Sequence, residues 1–156
     1  MSFESKTATY DEASVQLEAL LENLTDPVAI MATVAAVLFH SLPGVSWVGF
    51  YRVVGPDLLR VGPYQGPVGC LEIAFGKGVC GTAAQREEAQ IVPDVHAFPG
   101  HIACDAQARS EIVLPVHDAA GNLVAVLDLD SHLHACFNEQ DLEHLQRILR
   151  RIRDSL

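Results

Sequence analysis

The hydrophobic pattern of the chain changes period at one point, Pro43-Gly44, and that switch constrains the fold more than any other feature. Before it, apolar residues recur as they do on helices. Leu17, Leu20, Leu21 and Leu24 share a helical stripe, and Asp11 is placed to cap a helix reaching about residue 23. Thr25-Asp26-Pro27 interrupts the stripe, and Pro27 suits the first turn of a second helix, where a missing N–H costs nothing. Residues 28–42 are apolar almost all round, so this second helix is expected to be buried on more than one side. Beyond the switch, V-S-W-V-G-F-Y-R-V-V is β-branched and aromatic and predicts a strand.

The rest of the chain continues in short units. Gly55-Pro56-Asp57 makes a turn and a second strand begins at residues 58–61, whereas residues 62–67 carry too many glycines and prolines for regular structure. Residues 70–75 read as a third strand opened by Cys70, residues 79–87 as a short helix and 89–92 as a brief strand. Residues 93–110 show no periodicity, and a compact domain seldom keeps so long a loop without a functional reason. Residues 111–117 and 123–130 form a hairpin, and Asn138 caps a last helix striped by Leu142, Leu145, Ile148, Leu149 and Ile152. Helices, then adjacent strands with hairpin-length links, then a helix define an α+β class. The expected architecture is one domain over residues 1–156, with helices at about 11–42, a sheet and its loops at about 45–131, and a helix at about 138–155. The sheet is mainly antiparallel, with the N- and C-terminal helices packed on one face.

Composition removes several function classes. With 20 acidic against 10 basic residues the formal charge is −10, which disfavours a nucleic-acid surface. Arg147, Arg150, Arg151 and Arg153 cluster on the last helix, where cations near a C-terminus are favoured and solvated. The longest apolar run, residues 28–39, falls short of a bilayer span, and M-S-F-E-S-K-T-A-T-Y lacks the pattern of a signal peptide, so no membrane association and a cytoplasmic location are expected. In that compartment four cysteines point to catalysis, redox exchange or metal binding ahead of structural disulfides.

Residues 76–105 concentrate the chemistry. Cys80 stands where a glycine turn enters a helix, and the partial positive charge there stabilises a thiolate, although a packed core cysteine is an equal alternative. Cys104 follows P-G-H-I-A and precedes Asp105; a protonated His101 favours its thiolate and Asp105 opposes it. Cys70, at a strand opening, reads as packing when taken alone, and Cys136 as structural. Zinc sites usually show close pairs such as C-x₂₋₄-C, and none is present, so no metal is expected. In L-D-L-D-S, Asp128 and Asp130 share one strand face, and Glu111 on the partner strand adds a third carboxylate. Such a cluster suits an ammonium-bearing ligand. Trp47 and Tyr51 also share a face, for which core packing is the simpler reading when the pair is taken alone.

Six segments, W-V-G-F-Y, G-P-Y-Q-G, F-G-K-G-V-C-G-T-A, I-V-P-D-V-H-A-F-P-G-H-I-A-C-D, S-E-I-V-L-P and V-L-D-L-D-S, together resemble the free methionine-(R)-sulfoxide reductases, enzymes built on a GAF domain. The resemblance runs over about residues 47–141; Val68-Gly69 departs from it, where the family more often carries a longer side chain. It implies a GAF-like fold and reduction of free methionine (R)-sulfoxide through a cysteine sulfenic acid and an intramolecular disulfide. The resemblance further implies no bound cofactor, thioredoxin as the external reductant, and a homodimer such as is common in the family. By the same resemblance Cys104 is the nucleophile, Cys70 the resolving thiol and Cys80 an alternate resolver or relay. Glu111, Asp128 and Asp130 hold the substrate ammonium and polarise or protonate the sulfoxide; Trp47 packs on the S-methyl group and Tyr51 walls the pocket. The helix-entrance argument instead favours Cys80 as the most acidic thiol, so the order of the cysteines is open. The alternative function is a non-catalytic GAF sensor for a small ligand, which needs neither paired thiols nor a carboxylate cluster.

Overall fold

The structure, a computed structural model, describes residues 2–156. Helices α1 (Phe3–Leu21) and α2 (Pro27–Ser41) precede strands β1 (Val45–Gly55), β2 (Leu58–Gln65) and β3 (Glu72–Ala74). Helix α3 (Gly78–Arg86), strands β4 (Gln90–Val92), β5 (Ser110–His117) and β6 (Leu123–Ser131), and helix α4 (Glu139–Ile152) follow. The strands form one sheet in the order β3-β2-β1-β6-β5-β4, with each neighbouring pair antiparallel. This is the expected α+β architecture.

Helices α1, α2 and α4 cover one face of the sheet. Val34 and Leu38 of α2, Leu17 of α1 and Leu145 of α4 share a core with Val48, Phe50, Ile112, Leu114, Leu127 and Leu129 of the central strands. Helix α2 buries Ile30, Met31, Val34, Ala35, Val37 and Leu38, while Val28 and Ala32 stay exposed, so its all-round apolarity does not bring burial on every side. Asp26 caps it by accepting from Ala29 N, with Pro27 in the first turn. Asn138 caps α4 in a capping box with Asp141. The Asp141 carboxylate also accepts from Tyr10 Oη at 2.8 Å and from Lys6 Nζ, which locks α1 onto the start of α4. Among the described residues the opposite face carries only α3 and the irregular segments, and the buried carboxylates of Glu111 and Asp128 lie on it.

Three local expectations are corrected. Helix α1 starts at Phe3, capped by Ser2, and not at Asp11. Tyr10 and Ala13 extend the buried stripe of Leu17 backwards by two turns, and no glycine or proline stops the helix earlier. Strand β2 runs on through Gly62-Pro63-Tyr64 to Gln65. Its pairing with β1 shifts between Gly49↔Tyr64 and Tyr51↔Val61, and Pro63 sits in this bulge, where it interrupts no ladder bond. Cys70 lies before β3 and not in it.

Candidate active site

Strand register builds the floor of the site. On β6, Ala125, Leu127 and Leu129 point into the helical core, so by the period of two Val126, Asp128 and Asp130 point the other way. On β5 the same alternation sends Ile112 and Leu114 to the core and Glu111 and Val113 to the opposite face. Glu111 pairs with Asp130 and Asp130 with Trp47, which forms one row across three strands. Val113, Asp128 and Gly49 form the next row. Gly49 is required there. A Cβ would lie against the Trp47 ring and only 2.5 Å from Tyr64 Cβ.

The aromatic side chains hold one wall. Trp47 stacks on Tyr51 and Tyr64 with centroids 5.7 and 5.2 Å apart. Trp47 Nε1 donates to the Pro67 carbonyl at 2.9 Å and Tyr51 Oη to the Cys70 carbonyl at 3.0 Å. Both bonds pin the segment that carries Cys70. The opposing wall is the irregular stretch 93–109, fastened at Val95 N to Arg109 O and at Arg109 N to Ser131 O. A disulfide joins Cys70 to Cys104, 34 residues apart, and closes the two walls over the carboxylates.

Trp47, Tyr51, Cys80, Cys104, Glu111, Asp128 and Asp130 line one partly open cavity of about 40 Å³. Cys70 is the only predicted site residue that does not line it, and it joins the wall through its bond to Cys104. His101 also lines the cavity, with Nε2 3.9 Å from Glu111 Oε2. In P-G-H-I-A-C-D it reads as a support for the Cys104 thiolate; the fold turns it towards Glu111.

Electrostatics separates the thiols. Cys80 is the third residue of α3, but it is only 4% exposed, with Sγ 3.9 Å from Glu111 Oε1. Burial first, then the charges of Asp128, Glu111 and Asp130, push its pKa well above that of an ordinary thiol. The acidic thiol expected at this helix entrance is therefore absent: three carboxylates and desolvation outweigh the terminal N–H groups. Burial also lowers the His101 pKa, with His96 adding to the effect, so His101 favours the neutral imidazole. Burial tends to raise the Asp105 pKa, but hydrogen bonds from Gln107 N and His132 and the charge of Arg109 reverse this and leave it below the usual range. His132 Nε2 lies 2.8 Å from Asp105 Oδ2.

The carboxylates cannot all ionise so close together. Burial pushes Asp128 up to about 6, and burial with the charges of its neighbours pushes Glu111 and Asp130 well above the carboxylate range. The cluster thus retains protons near neutrality and can donate one. Asp128 Oδ1 is buried and has no hydrogen-bond partner among the described residues. Cys80, Glu111 and Asp128 also place three ligand-type atoms within 4.8 Å of one another.

Residues 16–156 match the GAF domain family. A free methionine-R-sulfoxide reductase of Escherichia coli K12 is 39% identical over 145 residues, covering 93% of this chain and 87% of that protein. One of Saccharomyces cerevisiae is 36% identical, covering 97% and 87%. The X-ray structure of free methionine-R-sulfoxide reductase from Neisseria meningitidis in complex with its substrate superposes with a TM-score of 0.91 at 42% identity, covering 96% of this chain and 89% of that one. Sequence and fold together place the chain in the family of GAF domains that includes the free methionine-R-sulfoxide reductases.

Proposed function

We propose that this protein reduces free methionine (R)-sulfoxide to methionine with its own thiols. The observation that carries the proposal is the Cys70–Cys104 bond closing a cavity floored by Glu111, Asp128 and Asp130 and walled by Trp47. A cysteine pair placed over proton-retaining carboxylates has the parts that sulfoxide reduction requires, and relatives at 36–39% identity carry that name.

In the forward reaction Cys104 attacks the sulfoxide sulfur as a thiolate. A protonated carboxyl, assigned to Glu111 because its pKa is pushed well up, donates to the sulfoxide oxygen. Oxygen passes to Cys104 as a sulfenic acid and methionine leaves. Cys70 then displaces water from the sulfenic sulfur to give the disulfide present in the structure. Burial and its acidic neighbours make Cys80 a poor nucleophile, which supports giving the redox pair this work. Asp130, partly buried at the edge of the cluster, takes the substrate ammonium with Asp128, and Trp47 packs on the S-methyl group.

Recycling requires a dithiol that exchanges with the disulfide, and thioredoxin is the proposed donor. Val68 and Leu71, 75% and 65% exposed, flank Cys70, and Ile102 precedes Cys104, so an apolar collar surrounds the bond a reductant must reach. Such a cycle belongs in the cytoplasm, where thiols are kept reduced. No helix among the described residues is long and apolar enough to cross a membrane. The cavity residues named here all come from one chain, so the proposal holds equally for a monomer and a homodimer.

Thioredoxin-dependent loss of free methionine (R)-sulfoxide, with the S epimer and a peptide sulfoxide as controls, is the direct test. No turnover by fully reduced protein overturns the proposal. Cys104→Ser abolishes even single-turnover methionine release, whereas Cys70→Ser keeps that release and loses recycling; the reverse pattern exchanges their roles.

A further inference from the structure

We propose that Cys80, Glu111 and Asp128 form a binding site for a borderline-soft divalent cation of the zinc class, on the floor of the cavity. A thiol and two carboxyls from α3, β5 and β6 bring their ligand atoms within 4.8 Å of one another. Donors about 2.0–2.3 Å from a tetrahedral zinc lie roughly 3.3–3.8 Å apart, so small side-chain rotations close the set. Spacing along the chain gave no sign of it, because the three residues are 31 and 17 positions apart in sequence and only the sheet register joins them.

A second observation points independently to a ligand. Asp128 is only 5% exposed, lines the cavity, and its Oδ1 has no partner among the described residues. A buried carboxylate oxygen without a donor is costly, and a cation supplies what it lacks. The donor set selects the metal. Calcium takes six to eight oxygens and magnesium prefers a hydrated octahedron, whereas one thiolate with two carboxylates and an open fourth position suits zinc. His101 Nε2, 3.9 Å from Glu111 Oε2, is placed to support Glu111 from outside the first shell.

Binding is an acid–base step with no change of redox state. The Cys80 S–H bond breaks, the proton leaves to solvent, and a metal–sulfur bond forms. The site does not use the Cys70–Cys104 pair, so it exists in both redox states of the protein. The cation would occupy the space assigned above to the sulfoxide, and zinc and substrate therefore exclude each other. The inference goes beyond the reductase proposal and does not depend on it.

The test uses the disulfide form of the Cys136→Ser protein, in which Cys80 is the sole free thiol. Titration with cadmium chloride is followed by the ultraviolet thiolate-to-cadmium charge-transfer band, without substrate or turnover. The expected result is a one-equivalent band of one-thiolate intensity, displaced by zinc chloride. Cys80→Ser removes the band, and Asp128→Asn or Glu111→Gln weakens cadmium binding at least about tenfold. Circular dichroism identifies a variant that has lost its fold, and the other carboxylate variant then carries the comparison. No band at millimolar cadmium overturns the site. So does a band that the folded carboxylate variants leave unchanged, since the metal would then be held by sulfur alone. A normal band in a protein that turns over no sulfoxide would sink the reductase proposal and leave the cation site standing.

Discussion

The two faces of the sheet are made from the same strands and do opposite things. Ile112, Leu114, Leu127 and Leu129 face three helices and are almost completely buried in hydrocarbon. Their immediate sequence neighbours Glu111, Asp128 and Asp130 face a short helix and two loops. Burying one aliphatic side chain is worth about 1.5–3 kcal/mol, whereas burying a carboxylate costs free energy. The helical face therefore stabilises the fold and the other face tolerates a destabilising arrangement that chemistry needs. A register slip of a single residue would exchange the two faces, so the leucines that fix the register also aim the carboxylates.

Adjacent residues provide the sharpest contrast. Leu127→Ala leaves a cavity in the helical core and should cost about 2–5 kcal/mol, read as a lower denaturation midpoint, while the folded fraction keeps its substrate KM. Asp128→Asn should do the reverse: with the fold intact, substrate KM rises at least about tenfold, because the substrate ammonium loses a charged hydrogen-bond partner. If Leu127→Ala alters KM while Asp128→Asn unfolds the protein, the division between the faces is wrong.

Titration sharpens the same contrast. The folded state raises the Asp128 pKa from the ordinary 3.8 to about 6, so the folded protein binds the proton more tightly than the unfolded chain. Its stability contribution is most favourable below about pH 4 and is lost as pH rises through about 6. Wild type should therefore lose up to roughly 3 kcal/mol relative to Asp128→Asn between those limits. Urea midpoints of the two proteins from pH 4 to 7 measure it. A constant difference across that window would mean that the carboxylate is not desolvated.

Much of this was legible in the sequence, and the failures share one cause. Asp26-Pro27, the switch at Pro43-Gly44 and the Asn138 cap act locally, so the elements they delimit stood out. L-D-L-D-S displayed its two-residue period, which placed both aspartates on one face. Cys80 misled because a helix entrance is a local signal, while the carboxylates that raise its pKa arrive from β5 and β6. The reach of β2 through Pro63 depended on a bulge set by its partner strand. Pairing of Cys70 with Cys104 came from family resemblance, since neither spacing nor periodicity relates two loops that meet across a cavity. His101 was visible only as a neighbour of Cys104, and its approach to Glu111 is a property of the folded loop.

Gly49 tests whether the wall of the site depends on close backbone approach. An added Cβ meets the Trp47 ring and Tyr64 Cβ, and neither is a flexible chain end. Gly49→Ala should cost about 1–3 kcal/mol and raise KM, because Trp47 must leave its place over the floor. A structure of the variant with Trp47 unmoved and KM unchanged would remove Trp47 from the substrate wall.

The smallest effect is expected where loop meets loop. His132 and Asp105 form a partly exposed pair at 2.8 Å, directly beside Cys104 in the chain, and such pairs contribute less than about 1 kcal/mol. His132→Ala should leave the denaturation midpoint nearly unchanged while raising amide exchange in residues 103–108, because the loop keeps its anchor at Arg109 N to Ser131 O and loses only a side-chain tether. Asp105 should titrate higher in this variant, since a hydrogen bond and a positive neighbour are both removed. A stability loss of several kcal/mol would contradict the division drawn above, because the loop face would then be holding up the fold. Faster exchange at an unchanged midpoint fits a wall that the helical face supports from behind and that can open when the disulfide is reduced.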